Sequence, residues 1–246
     1  MPIFRKRKEE PQPDVVHDPP GTARRSVLIN VDPVRLPGDL VVPAEAVGVV
    51  IFAHGSGSSR KSPRNVEVAR RLNDAGMGTL LFDLLTPAEA EDRANVFDIE
   101  LLADRLQGAE RWLHRWPQAG TVPVAFFGAS TGAAGALVAA ARLGIEVAAV
   151  VSRGGRPDLA GETLSRVTAP TLLIVGGDDV EVLGLNREAE ARMRCERSLE
   201  IVPGATHLFE EPGALERVGD LAADWFARHL LEAGQGRRAT IATLFH

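Results

Sequence analysis

Val122–Arg142 reads VPVAFFGASTGAAGALVAAAR, and the reading of this stretch decides the fold. Its first part, Val122–Phe127, is apolar enough for a strand buried on both faces. Small residues follow, Gly128-Ala129-Ser130-Thr131-Gly132, and then a run of Ala, Leu and Val suited to a buried helix. Strand, G-x-S-x-G and helix in succession predict a sharp turn that raises the Ser130 hydroxyl clear of a sheet. Side chains two residues before and two after that serine would collide, which accounts for Gly128 and Gly132. The same geometry predicts strained backbone at Ser130. It also sets the N-terminus of a helix, with its free N–H groups and positive dipole end, beneath any charge that develops there.

Working outward, strands and helices alternate. Ser26–Val31 and Asp39–Pro43 read as leading strands joined through a turn at Pro37–Gly38. Val47–Ala53 and Gly78–Leu84 are almost wholly apolar, as strands inside a parallel sheet are. Arg64–Ala75 has helical spacing and stops at Gly76, and Asp98–Trp116 is amphipathic and closes at Pro117 and Gly120. Leu85–Val96 between them reads as a polar loop. Later come strands at Val147–Ser152, Thr171–Gly176 and Ser198–Val202, with helices over Pro157–Val167, Asn186–Arg194 and Leu215–Leu231. This order predicts an α/β protein with a mostly parallel sheet of about eight strands and helices on both faces. Residues 1–24 read as a disordered tail, 25–233 as one domain and 234–246 as a C-terminal tail.

Composition narrows the function classes. The 246 residues are 45% hydrophobic and 25% charged, with net charge −5, which argues against nucleic acid as a main partner. Cys195 is the single cysteine, so no internal disulfide can form, as expected of a reducing compartment. No apolar run approaches the roughly 20 residues of a membrane span. No signal-peptide segment opens the chain. A cytoplasmic location is expected.

Ligands of such sheets sit at the carboxyl ends of strands. Three polar clusters fall there: His54–Ser59, Ser130 and Asp178–Asp179. A serine hydroxyl needs a general base to become a nucleophile. Of the six histidines (17, 54, 114, 207, 229 and 246), only His207 follows a late strand in a turn that can reach over the sheet edge. An imidazole base needs a carboxylate to hold its tautomer, and Asp178 and Asp179 both stand at a strand tip. A tetrahedral intermediate needs two N–H donors, one from Thr131 and one from the Gly-rich loop, at Ser56 or its neighbour Gly57. The loop is no phosphate cradle of the G-x-x-x-x-G-K-[ST] kind, because Gly57 does not directly precede Lys61-Ser62.

The segments VVIFAHGSGSSRKSPRN, VAFFGASTGAAGAL, APTLLIVGGDDVEVLGLN and VPGATHLFEEPGAL together resemble the α/β-hydrolases, and among them small dienelactone-hydrolase-like proteins. The resemblance spans roughly Val47–Leu215 and implies the α/β-hydrolase fold without a large lid domain. Its chain order of serine, acid and histidine is met by Ser130, Asp179 and His207. The family's acid stands in a G-G-x-D turn with an apolar residue three further on, which selects Asp179, followed by Val182. The implied chemistry is hydrolysis of a small-molecule ester or lactone through an acyl-enzyme, with no metal and no organic cofactor. Namesake enzymes carry cysteine where this chain has Ser130, which favours a more general carboxylesterase. Gly57, Arg60 and Arg153 are candidate substrate contacts, the cations for a substrate carboxylate. Lys61, Arg64 and Arg156 belong to the same basic groups. A homodimer is carried as a candidate assembly. The readings held against ester hydrolysis are a catalytically silent binding module on the same fold, and acyl transfer to an acceptor other than water.

Overall fold

In a computed structural model, residues 21–116, 119 and 121–244 are described, 237–244 by backbone alone. Residues 1–20 of the expected tail, with Pro117 and Gly120, lie outside them. The chain runs β1 (Ala23–Val31), β2 (Val34–Val42), β3 (Val49–Ala53), α1 (Pro63–Asp74), β4 (Gly78–Phe82), α2 (Pro87–Ala90), α3 (Arg93–Val96) and α4 (Ile99–Leu113). It continues through β5 (Val124–Ala129), α5 (Thr131–Leu143), β6 (Val147–Arg153), a 3-10 segment (Pro157–Arg166), β7 (Thr171–Gly176), α6 (Val180–Arg192), β8 (Arg197–Val202) and α7 (Ala214–Leu244). The eight strands lie in the order β1-β2-β4-β3-β5-β6-β7-β8. β1 pairs antiparallel with β2, and β2 with β4; every later pairing is parallel.

Strand alternation divides the core into two layers. Val49, Ile51, Val124 and Phe126 face the layer closed by α4 and α5. Val50, Phe52, Ala125 and Phe127 face the opposite layer, with Leu72 of α1 and Phe226 of α7. Each central strand therefore has two dry faces, which is why it is apolar throughout. Phe52 and Phe127 cross the β3–β5 pair with ring centroids 4.8 Å apart. Among the described residues no helix is long and apolar enough to cross a membrane.

The two elbow glycines are required by close approach. A Cβ on Gly128 would sit 2.8 Å from the Ala133 nitrogen, and one on Gly132 would sit 2.5 Å from the His54 carbonyl oxygen. These contacts press α5 against β3 and β5 and set its first turn at the sheet's carboxyl edge.

The structure departs from the sequence reading at four places. Pro37–Gly38 is not a turn but the middle of β2, paired with Leu28 and Val27. Pro37 has no N–H to give to a neighbouring strand, but its carbonyl accepts from Asp83 N–H at 3.1 Å. The hairpin turn lies instead at Asp32–Pro33. Leu85–Val96 is not a plain loop. Thr86 and Glu89 form a reciprocal capping box that starts α2, and the Asp92 side chain caps α3. α6 starts at Val180 rather than Asn186, because Asp179 serves as its N-terminal boundary. The final helix does not end at Leu231 but continues through residues 234–244, a segment with few strong helix breakers beyond Gly234 and Gly236.

Candidate active site

Ser130 follows β5 and precedes the first residue of α5, with φ 51° and ψ −124°. A non-glycine residue at positive φ stores on the order of 1–3 kcal/mol and persists only where its surroundings hold it. Here they do. Its carbonyl accepts from Ala133 and Arg156 N–H, both at 3.1 Å, and its own N–H reaches the Arg153 carbonyl at 3.4 Å. Gly55 stands against it, since a Cβ on Gly55 would lie 2.9 Å from Ser130 Cβ.

His207 follows β8 and the turn through Ala205. Its Nδ1 lies 2.7 Å from Asp179 Oδ2, across 28 residues of chain. Asp179 is 14% exposed and His207 40%. A carboxylate at that distance fixes Nδ1 as the protonated nitrogen and leaves Nε2 as an acceptor. Of the two aspartates at the tip of β7, it is Asp179 that meets the imidazole, while Asp178 donates its N–H to the Ala205 carbonyl at 3.0 Å. His207 and Ser130 both pack on the turn after β6. A Cβ on Gly154 would lie 3.1 Å from the His207 carbonyl oxygen. Among the described residues no hydrogen bond joins Ser130 Oγ to His207.

The loop after β3 brings its backbone to the same place. Gly55 carbonyl accepts from Ser58 N–H at 3.2 Å in a tight turn, with Gly57 at φ +67°. Thr131 is the first residue of α5, so its N–H has no partner within the helix. A cavity of about 490 Å³ opens beside these groups and is lined by Ser56, Gly57 and Thr131. Leu85, Pro87 and Val96, from the segment read as a loop, form its opposite wall. The capping pattern T-P-A-E over Thr86–Glu89 is the signal that would have found that wall.

His54 has a positioning role that the sequence reading did not see. Its Nε2 accepts from Leu84 N–H at 3.1 Å, and its Nδ1 contacts the Gly55 carbonyl at 3.0 Å. That pairing makes the ring neutral, with the proton on Nδ1. Burial pushes its pKa below the usual histidine value. The ring ties the loop after β3 to the end of β4. Buried Asn186 does the same for the turn after β6, donating to the Gly155 carbonyl at 3.0 Å.

The candidate cations separate. Arg60 is engaged: its guanidinium pairs with Asp83 and, at 3.3 Å, with Asp39. It is thus held between two carboxylates while it lines the cavity beside Ser56. Arg156 forks onto Asp158 at 2.8 and 2.9 Å, which raises its pKa. Arg153 differs from both. It is 7% exposed, and its Nε and Nη1 have no hydrogen-bond partner among the described residues. Burial, and then the nearby Arg64 charge, lower its pKa to about 10. The Phe209 ring lies 5.9 Å away, in the loop that carries His207. Cys195 has no such setting: burial pushes its thiol pKa up, so it is a poor nucleophile.

An eight-stranded, mostly parallel sheet with a strained serine between β5 and α5 defines an α/β-hydrolase. Comparison narrows the class. The chain is 52% identical to a dienelactone hydrolase from Anabaena variabilis over 87% of its own length and 99% of that protein, with a TM-score of 0.82. It belongs to the dienelactone hydrolase family. Est1E of Butyrivibrio proteoclasticus shares the fold at 15% identity and TM-score 0.72, covering 83% of this chain and 98% of that one. A Mycobacterium tuberculosis protein provisionally named as a phosphoribosyl transferase is 58% identical over 221 residues, 90% of this chain and 50% of that protein. The chain thus spans about half the length of the curated relatives it matches. No family model matches the chain.

Proposed function

We propose that the chain hydrolyses a carboxylic ester or lactone through an acyl-enzyme on Ser130. The observation that carries this reading is the 2.7 Å contact of Asp179 Oδ2 with His207 Nδ1 at the sheet edge that presents Ser130. Ser130 Oγ attacks the carbonyl carbon while His207 Nε2 takes its proton. Asp179 holds the imidazole in the required tautomer and stabilises the imidazolium. The N–H groups of Thr131 and Ser56 receive the oxyanion. Nε2 then protonates the departing alcohol, or the ring oxygen of a lactone. Water enters, gives a proton to Nε2 and attacks the acyl carbon, and the acid leaves as Ser130 recovers its proton.

Arg153 sets the substrate class within this reading. A buried guanidinium without a counter-charge is costly unless a ligand supplies the anion. Its place under the His207 loop favours esters that carry a carboxylate or a comparable anionic group. The phosphoribosyl transfer in the relatives' name is an activity we assign outside this site, since those proteins are twice as long as the match.

The test is intact-protein mass after exposure to a fluorophosphonate, with Ser130→Ala alongside. A single adduct on the wild type alone supports an activated serine, and a panel of p-nitrophenyl esters and lactones then finds the substrate. No adduct on either protein would remove the reading and leave the binding module in its place.

A further inference from the structure

A second cavity, of about 520 Å³, lies away from Ser130, between the β1–β2–β4 edge and α1. Arg24 and Arg25 of β1, Arg60 and Lys61 of the loop before α1, and Arg70 of α1 line it. The whole chain has 28 Lys and Arg against 33 Asp and Glu, so five cations around one hollow is a local excess. Asp39 is the one carboxylate among the lining residues. It is shared by Lys61 Nζ at 2.7 Å and Arg60 Nε at 3.3 Å, and Ser26 Oγ reaches it at 3.3 Å. Arg25 Nη1 donates to the Arg24 carbonyl, at 2.8 Å, which brings it no counter-charge. Arg70 meets Glu67 at a loose 3.8 Å, in a solvent-exposed pair that screening makes weak.

The floor of this cavity has a different chemistry. Leu40, Leu81 and Ala69 are buried, and Val66 lies beside them. Asn73 is already satisfied, with Nδ2 donating to the Met77 carbonyl at 2.9 Å and to Thr79 Oγ1 at 3.0 Å. An apolar floor under a cationic rim fits a molecule with an organic body and a multiply charged end. A phosphate group, with about two negative charges and three acceptor oxygens, can bridge cations on opposite walls in a way that one carboxylate cannot. The volume lies in the range of small-molecule sites, about 300–1,000 Å³.

We propose that this cavity binds a phosphorylated small molecule of nucleotide size, at a site separate from the nucleophile. Its charged end lies among Arg25, Lys61 and Arg70, and its organic body rests on Leu40, Val66 and Leu81. Arg60 also lines the cavity beside Ser56, so one side chain forms a wall of both sites.

The experiment is isothermal titration calorimetry of the full chain with ADP, inorganic pyrophosphate and adenosine. One equivalent of ADP should bind, more tightly than either fragment and more weakly as salt is raised. The Lys61→Ala/Arg70→Ala protein should lose affinity by about tenfold or more, a change equivalent to 1.4 kcal/mol. Arg25→Glu, on the opposite wall, should do the same, while Ser130→Ala should bind as the wild type does. Circular dichroism checks the fold of each variant. No binding of ADP or pyrophosphate to the wild type would overturn the proposal, as would ADP affinity unchanged in both cation variants. Loss of binding in Ser130→Ala would place the ligand at the nucleophile instead. Pyrophosphate binding as tightly as ADP would refute the part assigned to the apolar floor.

Discussion

Gly132→Ala should damage the site without touching any polar group. The added methyl would sit 2.5 Å from the His54 carbonyl oxygen and 2.7 Å from the Ala53 carbonyl carbon. Ordinary van der Waals contact begins about 1 Å further out. Both neighbours are backbone at the end of β3, so no side chain can swing aside. Relief has to come from sliding the first turn of α5 away from β3 by roughly 0.5–1 Å. Overpacking of this kind costs about 1–3 kcal/mol. For a domain of this size that is a fall in Tm of roughly 2–12 °C. The same movement parts the Thr131 N–H from the loop bearing Ser56, and a 1 Å misplacement of a catalytic group costs on the order of a hundredfold in rate. The assay is thermal unfolding beside ester hydrolysis, with rates normalised to active sites titrated by fluorophosphonate. Gly184→Ala in α6 is the control, because a Cβ there meets nothing within 4 Å and should be neutral or stabilising by up to about 1 kcal/mol. Gly132→Ala with wild-type Tm and rates would refute the tight-elbow argument. A lowered Tm with unchanged kcat/KM would refute only the link from that packing to the oxyanion donors.

Three further outcomes follow from the site. Asp179→Asn should lower kcat by about 10⁴-fold with little change in Tm, since the amide favours the wrong imidazole tautomer; parallel kinetics and melting measure both. Arg153→Met should raise stability by about 1 kcal/mol, because an uncompensated buried charge is removed. It should also weaken kcat/KM for anionic esters while sparing neutral ones, and equal losses for both would reject the assigned role. His54 carries a pH dependence. Its folded pKa is lowered by burial, so the unfolded chain binds the extra proton first. Stability contributed by neutral His54 is full above pH about 6.5 and falls as pH drops toward the folded value. Melting curves of the wild type and His54→Asn across that window should differ, the variant showing the shallower acid loss. His229, whose pKa burial also lowers, is common to both proteins and cancels in the comparison.

Much of the fold and of the site is legible in the chain itself. Gly128, Ser130 and Gly132 announce the elbow because its constraints are steric and act between residues a few positions apart. The apolar runs Val49–Ala53, Val124–Ala129 and Thr171–Gly176 announce buried parallel strands for the same local reason. Errors arise where a local signal is outvoted. Pro37-Gly38 looks like a turn, yet β1 on one side and β4 on the other hold it extended. Leu85–Val96 looks polar and unpatterned, yet two caps and the ion pair of Glu89 with buried Arg105, at 2.6 Å, organise it into a cavity wall.

By itself the sequence determined the fold class, the strained serine and the set of groups that could serve it, because these follow from neighbouring residues and chain order. The residues alone left Asp178 and Asp179 open and only the resemblance preferred Asp179; the fold brings Asp179 to His207, for the two aspartates differ in where the start of α6 points them. Tertiary structure also decided which arginine is spent on Asp83 and Asp39, namely Arg60, and which is buried with Nε and Nη1 lacking a hydrogen-bond partner among the described residues, namely Arg153. Charge pairing is a property of through-space distance and burial. Residues that are far apart along the chain settle it, and only the folded sheet brings them together.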